Sequence, residues 1–230
     1  MGSTYFSSHV HSINYLSPQH TLGDMSVQDA IKTRRSIRRF KDKPVTVDQM
    51  RRIIEAGTYA PSGKNGQPWR FTVLTGHEKD AVTDLMDDAL QGLAEKHGNA
   101  LMGSSLNSCG VMKNAPVLVF VWNRGGLTAP RLQEMMSRVS EIFPDSEKLL
   151  HMVDVQGVAA AVQNMLLMAH DMGLGSLWIN DVYYVLDELT EYFDNPWELV
   201  AAVAFGYPAE SEKHKSPPPK LTVDEVTEFR

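Results

Sequence analysis

Cysteine is almost absent from this sequence, since Cys109 is the only one in 230 residues. A single thiol cannot form an intrachain disulfide, which is typical of proteins that work in a reducing compartment. We therefore predict a cytoplasmic protein. Cys109 also has no histidine placed in the pattern of a cysteine nucleophile, and a lone cysteine is more often a small buried residue.

Positive charge and long hydrophobic runs are also scarce. The 22 Lys and Arg against 28 Asp and Glu give a formal net charge of -6, which argues against nucleic acid as a partner. The most apolar run, Val155 to Ala169, is interrupted by Gln156, Gln163 and Asn164. It is too short and too polar to span a bilayer. The N-terminus has no basic region followed by an apolar core, so we predict neither a signal peptide nor a membrane partner.

The chain has no internal repeat and no linker long enough to divide it. Its 230 residues predict one domain at 26–230 with a large core. Residues 1–25 lack clear periodicity, and we interpret them as an N-terminal arm that a partner subunit could order. Residues 123–150 contain a Met-bearing segment that is either a mobile cover over a site or an ordinary amphipathic helix. Residues 209–230 form a C-terminal tail.

Capping signals place the first two helices. Ser26 followed by Asp29, and Thr46 followed by Gln49, are typical of helix N-termini. Several helices around four or five irregularly placed strands predict an α+β layered fold rather than a doubly wound parallel sheet. The remaining predictions from periodicity are strands at 69–75, 116–122, 176–179 and 199–205, helices at 77–97, 131–143, 154–172 and 182–193, and a loop-like stretch at 98–114.

Four arginines occupy six positions in the segment Arg34-Arg35-Ser36-Ile37-Arg38-Arg39-Phe40. Guanidinium groups bind phosphate in bidentate geometry, and Ser36 adds a hydroxyl donor. In an acidic chain such a cluster is unexpected, and a phosphate-bearing ligand would explain it. The alternative is a solvated basic surface.

A second cluster, from Ala60 to Phe71, joins a polar loop to an aromatic strand. Ser62 and Asn65 offer hydrogen-bond donors and acceptors, while Gly63 allows close approach of the backbone. Trp69 and the neighbouring prolines offer a flat apolar wall. Turn chemistry alone could explain the loop. Together, however, the two clusters look like a cradle for a flat, amide-rich ligand that carries a phosphate.

Motifs for other chemistries are incomplete. Gly173 and Gly175 could begin a dinucleotide-binding fingerprint, but Trp178 replaces the third glycine and the segment follows a predicted helix rather than a strand. Ser104 and Ser105 lack the G-x-S-x-G pattern of a nucleophile elbow. The cofactor cradle is therefore the strongest signal of chemistry in the chain.

At these two clusters the chain resembles the FMN-dependent nitroreductase family. The resemblance continues, in family order, through four further segments. Each segment is weakly specific by itself, but six in order form a specific pattern. It runs from about residue 26 to the C-terminus and leaves out 123–150. The four further segments are Asn114-Ala115-Pro116, Gln163-Asn164-Met165-Leu166-Leu167, Gly173-Leu174-Gly175-Ser176-Leu177-Trp178-Ile179 and Phe205-Gly206-Tyr207-Pro208.

The resemblance implies an intertwined homodimer with a mostly antiparallel central sheet flanked by helices. Two FMN sites would lie at the subunit interface, and no metal is implied. Arg38 matches a basic position near the pyrimidine edge of the flavin, where positive charge favours the reduced cofactor. Arg34, Arg35 and Ser36 match positions that contact the FMN phosphate and ribityl chain. The loop contributed by the other subunit matches Pro61, Ser62, Gly63 and Asn65.

The stretch after the third segment's glycines matches the part of the family that lies beneath the flavin ring. A backbone N–H near Asn180 or Asp181 would face flavin N5, the atom that accepts and donates hydride. Some members carry Glu where this chain has Asn180. The family tail supplies a basic residue to the phosphate, for which Lys220 and then Lys215 are candidates. The residues beneath the ring are Ser176, Leu177, Trp178, Ile179, Asn180 and Asp181.

The activity implied by the resemblance is a two-step transfer. NADH or NADPH reduces the flavin and leaves, and a nitroaromatic, a quinone or a related small acceptor takes its place. Because the flavin carries the hydride, no side chain needs to act as an acid or a base. The alternatives are a specialised relative, such as a reductive dehalogenase or a flavin-fragmenting enzyme, and a flavin-binding protein without turnover. The dehalogenase set of Glu, Tyr and Lys is not found in residues 90–113.

Overall fold

The computed structural model describes residues 25–126, 137–143, 145–213 and 218–230. The chain forms an α+β fold around a four-stranded antiparallel sheet of order β1-β2-β4-β3, which confirms the predicted fold class. The strands are β1 (Trp69–Thr75), β2 (Val117–Asn123), β3 (Gly175–Ile179) and β4 (Glu198–Gly206).

Helices cover both faces of this sheet. In chain order they are α1 (Val27–Thr33), α2 (Val47–Thr58), α3 (Gly76–His97), α4 (Asn99–Asn114), α5 (described over residues 137–142), α6 (Ser146–Asp171), α7 (Leu186–Phe193), α8 (Glu210–Lys213) and α9 (Val223–Val226). Two 3₁₀ turns, Gly63–Asn65 and Asp181–Val185, precede β1 and α7.

Strand β2 lies at the centre and is buried along its whole length. Its alternate residues face opposite sides of the sheet. Phe120 and Trp122 enter the core formed with α3, α4 and α7, while Val119 and Val121 enter the core formed with α2 and α6. A strand covered on both faces reads as a continuous apolar run, which explains why the sequence predicted it correctly.

The predicted helix caps are confirmed. The Ser26 hydroxyl accepts the Asp29 N–H at 3.1 Å. Thr46 and Gln49 form a reciprocal capping box, with the Gln49 N–H to Thr46 Oγ1 at 3.2 Å and the Thr46 N–H to Gln49 Oε1 at 3.0 Å. Each such cap stabilises a helix by about 1 kcal/mol. These caps fix the start of the two helices on either side of the arginine segment.

The prediction that residues 98–114 form a loop is wrong, because they form the 16-residue helix α4. Met102, Ser105, Cys109 and Met112 are buried on one side of it, at the three- and four-residue spacing of a helix face. Small and polar residues among them weaken the apolar pattern, so periodicity did not reveal the helix. Tertiary packing on α3 stabilises it instead.

Helix α6 is also longer than predicted, since it begins at Ser146 rather than Asp154 and has 26 residues. By length and composition it could cross a membrane, so the argument from its shortness does not hold. Val158, Ala161 and Met165, however, are fully buried in the core beneath the sheet. It is the core helix of this fold.

Part of the sequence analysis lies outside the described residues. This applies to the arm at 1–24 and to residues 131–136 of the predicted helix at 131–143, including Leu132, Met135 and Met136. The described part of that helix, residues 137–142, is helical. The choice between a cover and an ordinary helix stays open.

Candidate functional site

The arginine segment runs along the outer edge of β3. Ser36 forms a parallel bridge with Ser176, and the Ile37 N–H donates to the Ser176 carbonyl at 2.9 Å. A Cβ at Gly175 would lie 2.7 Å from the Ile37 side chain, so only glycine allows this close approach. Gly175 of the Gly173-Leu174-Gly175 motif therefore lets the arginine segment pack against the sheet.

A small cavity of about 190 Å³ opens where this segment meets the C-terminal end of α6. Arg34 and Arg35 line it. Burial and the neighbouring Arg35 lower the pKa of Arg34 below its ordinary value, which means that the fold disfavours the positive charge that it gathers here. An anion between the two guanidinium groups would offset that cost. The other lining residues are Thr33, Ile37, His170, Leu174, Gly175, Ser176, Pro208 and Glu212.

His170 belongs to this cavity although the sequence analysis gave it no role. Its Nε2 lies 2.8 Å from Thr33 Oγ1. Burial and the positive charge of Arg34 lower its pKa. Glu212 is the acidic member of the cavity, and one of its carboxylate oxygens accepts the Arg38 N–H at 3.2 Å. These long-range neighbours carry no local sequence signal.

A larger cavity of about 630 Å³ lies between the arginine segment, the end of β3 and helix α4. Leu177, Trp178 and Ile179 give it an apolar wall, while Arg38 and Arg39 give it two cations. The structure thus brings Arg38 together with the predicted stretch beneath the flavin ring. The α4 residues Ser104, Asn107, Ser108 and Val111 complete the lining; the sequence analysis missed them because it placed a loop there.

The side chains after β3 are held by hydrogen bonds within the protein. Asn180 Oδ1 accepts the Trp178 indole N–H at 3.0 Å. The two carboxylate oxygens of Asp181 accept from α4, Oδ1 from the Ser105 hydroxyl at 3.3 Å and Oδ2 from the Ser108 hydroxyl. These bonds fix the backbone where the resemblance expects an N–H to face the flavin.

The loop of the second cluster has an unusual backbone. Lys64, Asn65 and Gln67 have positive φ values of 52°, 55° and 47°, a conformation that costs a non-glycine residue roughly 1 kcal/mol or more. Ser62 Oγ accepts the Gln67 N–H at 3.0 Å and closes the loop. Such strain persists only where the surrounding structure holds it in place.

That surrounding structure is the N-terminal half of α6 and the end of β2. A Cβ at Gly157 would lie 3.2 Å from Ser62 Cβ, and a Cβ at Gly66 would lie 2.7 Å from the Gly126 carbonyl oxygen. The carboxylate of Asp154 accepts the Gly126 N–H at 3.0 Å. The loop is thus wedged between α6 and the chain leaving β2.

The two predicted clusters lie at opposite ends of α6. The loop contacts the helix near Gly157. Thr33, which directly precedes the arginine segment, contacts it at His170, and Arg34 lines the same cavity as His170. At 1.5 Å per residue, the contacts at 153–157 and at 170 are roughly 20–25 Å apart. Within one chain, Pro61, Ser62, Gly63 and Asn65 therefore do not share a cavity with Arg34, Arg35 and Ser36.

The assignment of a tail lysine to the FMN phosphate stays a prediction. Lys215 lies outside the described residues. Lys220 is exposed, and the side chains that line the smaller cavity do not include it.

Comparison with known proteins gives a family. The model of the Nitroreductase family matches residues 31–207, which include both clusters and β1 to β4. A protein of Methanothermobacter thermautotrophicus, named as a candidate NADH dehydrogenase/NAD(P)H nitroreductase, is 30% identical over 193 residues, covering 81% of this chain and 80% of its own.

Solved structures agree with that family. A candidate nitroreductase of Desulfovibrio desulfuricans, solved in complex with FMN, is 27% identical with a TM-score of 0.64, covering 90% of this chain and 98% of its own. An FMN-dependent nitroreductase of Mycobacterium smegmatis, solved with NADPH, shares the fold with a TM-score of 0.67 at 18% identity, covering 88% of this chain and 97% of its own. The resemblance of the sequence is confirmed, and the chain belongs to the nitroreductase family.

Proposed function

We propose that this protein is an FMN-dependent oxidoreductase that uses NAD(P)H to reduce a small acceptor, such as a nitroaromatic or a quinone, in two half-reactions. The observation that carries the proposal is the pair of cavities at β3. One is small and lined by Arg34 and Arg35, and the other is large and lined by Arg38. The FMN and the NADPH bound to the two solved relatives support it.

The residues present fit FMN at its phosphate end. Arg34 and Arg35 supply guanidinium groups and Ser176 supplies a hydroxyl, beside the carboxylate of Glu212. Burial and Arg35 lower the pKa of Arg34, so a bound anion would offset the cost of its charge. We assign the phosphate to this cavity, with the ribityl chain along Ser36. A basic tail residue, Lys220 or Lys215, would add to the same charge.

The ring end fits as well. The wall of Leu177, Trp178 and Ile179 offers a flat apolar face, and Arg38 places a positive charge at the polar edge of the cavity. When bound, FMN supplies the centre that takes up and passes on hydride. Arg38 favours uptake of electrons there, and the backbone at Asn180 and Asp181 orients the ring. No side chain needs to move a proton.

A second copy of the chain completes the site in this proposal. The loop residues Pro61, Ser62, Gly63 and Asn65 lie roughly 20–25 Å along α6 from the arginine segment, so a loop that touches the same FMN has to come from another subunit. An apolar groove of about 690 Å³ between α1, α2 and α6 supports a homodimer. Val27 and Tyr59, which line it, are 73% and 79% exposed, and a partner would bury them.

An absorption spectrum of the purified protein, recorded before and after anaerobic addition of NADH or NADPH, tests the function. We expect flavin bands that bleach with one of the two donors and return when a quinone or nitroaromatic is added. Bands that persist with both donors would favour a flavin-binding protein without NAD(P)H turnover or a specialised relative. A colourless protein that also fails to take up added FMN would overturn the proposal. We further propose a cytoplasmic location, on the strength of the single cysteine.

A further inference from the structure

We propose that the carboxylate of Asp181, held by Ser105 and Ser108 of α4, lowers the reduction potential of the bound flavin. Its effect on the potential is opposite to that of Arg38. The inference rests on the proposed FMN site. It goes beyond that site because the resemblance implies no role for the Asp181 carboxylate or for helix α4.

The geometry brings α4 to the end of β3. Asp181 starts the 3₁₀ turn that directly follows β3 and Asn180. Its two carboxylate oxygens accept hydrogen bonds from Ser105 and Ser108. The two serines are three residues apart, so they lie on the same side of α4. Ser105 is fully buried, and a buried hydroxyl needs a partner, which Asp181 provides.

Asp181 also shares the larger cavity with two cations. Arg38, Arg39 and Asp181 all line it. In the described part of the chain no ion pair joins the carboxylate to either guanidinium; its oxygens go to the α4 hydroxyls instead. The serines therefore hold the negative charge at the α4 side of the cavity and leave the arginines available to the ligand.

The sign of the effect follows from electrostatics. Reduction adds electrons to the ring, so a nearby positive charge raises the potential of the flavin and a nearby negative charge lowers it. Hydroxyl donors disperse the charge of a carboxylate without neutralising it. The potential of the bound flavin is then set by the balance between Arg38 on one side of the cavity and Asp181 on the other.

The test is the midpoint potential of the bound flavin, measured by anaerobic titration against a redox dye. Asp181→Asn keeps the shape and an acceptor oxygen but removes the charge, and we expect a shift to more positive potential. Arg38→Gln should shift the potential in the opposite direction by a similar amount. Asp187→Asn makes the same charge change at an exposed position of α7 and should leave the potential unchanged.

The serines supply a second and milder arm. Ser108→Ala removes one donor from the carboxylate, so the negative charge is less dispersed and the potential should fall. In the double variant with Asp181→Asn this fall should disappear, because the two residues act through one interaction. This arm also decides the question if Asp181→Asn folds poorly.

The outcomes distinguish a failure of the role of Asp181 from a failure of the proposed function. An FMN-loaded protein whose potential moves with Arg38→Gln but not with Asp181→Asn or Ser108→Ala would overturn the role of Asp181 and leave the proposed function intact. A wild-type protein that neither carries nor takes up FMN would overturn both.

Discussion

The two predicted clusters pack against different parts of α6 and are built in different ways. At the C-terminal end, near His170, the cluster consists of side chains: Arg34 and Arg35 beside a small cavity. Near Gly157, in the N-terminal half of the helix, the other cluster consists of backbone: a loop with positive φ values whose Gly66 packs closely against Gly126.

This difference predicts that ligand binding and folding stability can be separated at the arginine segment but not at the loop. At the C-terminal end, burial and the neighbouring Arg35 lower the pKa of Arg34, so the fold disfavours the positive charge of Arg34. Removing that charge should weaken ligand binding and change the folding stability little. The loop at the N-terminal end has its shape set by packing, so changes in that packing should cost both.

The largest expected effect is on flavin retention in Arg34→Ala. Loss of a charge-assisted contact of about 1.5–3 kcal/mol corresponds to an increase of roughly tenfold to a hundredfold in the dissociation constant of FMN. The melting temperature of the flavin-free protein should not fall, because the variant relieves repulsion with Arg35. Flavin content after gel filtration and a fluorescence titration with FMN measure the effect.

Arg52→Ala is the matched control, since Arg52 is an exposed arginine of the neighbouring α2. It should retain FMN like the wild type. Full flavin content in Arg34→Ala would show that the phosphate lies elsewhere.

The next effect is on stability at the other end of α6. A Cβ at Gly66 would lie 2.7 Å from the Gly126 carbonyl oxygen, so Gly66→Ala should lower the free energy of unfolding by about 1–3 kcal/mol. Urea denaturation of the flavin-free protein measures it.

Gly92→Ala provides the contrast, because a Cβ at Gly92 of α3 would meet nothing within 4 Å. It should raise the stability by roughly 0.5–1 kcal/mol, since alanine is the better helix former. If Gly66→Ala proved as harmless as Gly92→Ala, the loop would not be wedged as described.

A mixing experiment tests whether one bound FMN needs the arginine segment of one chain and the Asn65 loop of another. Asn65→Gly removes the amide but tolerates the positive φ, and it should lose FMN as Arg34→Ala does. Co-expression of the two variants should restore FMN to about a quarter of all sites, because half of the dimers are mixed and each mixed dimer keeps one intact site.

Recovery in the mixture, with little FMN in either variant alone, is the expected result. A site contained in a single chain predicts no recovery, since every chain then carries one defect. The readout is the flavin content of the doubly tagged dimer after tandem purification. Every dimer in that sample is mixed, so about half of its sites should hold FMN.

The smallest effects are on pH dependence, and they have opposite sign at the two ends. The pKa of His170 is lowered from 6.5 by burial and by Arg34, so its contribution to stability is present above 6.5 and is lost as the pH falls toward the lowered pKa. The pKa of Asp154 is raised from 3.8, chiefly by burial, so stability is lost as the pH rises from 3.8 through the raised pKa.

His170→Gln should therefore flatten the loss of stability below pH 6.5, and Asp154→Asn should flatten the loss above pH 3.8. Denaturation midpoints across the pH range measure both. Identical pH profiles for the wild type and both variants would contradict the assignment of these two groups.

The sequence predicted the local elements well. Strand β1 was placed at its observed bounds, and the caps at Ser26 and Thr46 were correct, because capping and strand alternation depend on neighbours in sequence. It failed at α4, where the small and polar residues Gly103, Ser104 and Ser105 break the apolar pattern. The family was predicted correctly from six short motifs, each of which is contiguous in the chain.

Short-range patterns of residue types were enough to predict the α+β class, the two clusters and the family. The folded chain was needed to show that the clusters pack against different parts of α6, that His170 and Arg34 line one cavity, and that Ser105 and Ser108 donate to Asp181. These are contacts between segments far apart in the chain, and they arise from packing around the sheet, which no local pattern encodes.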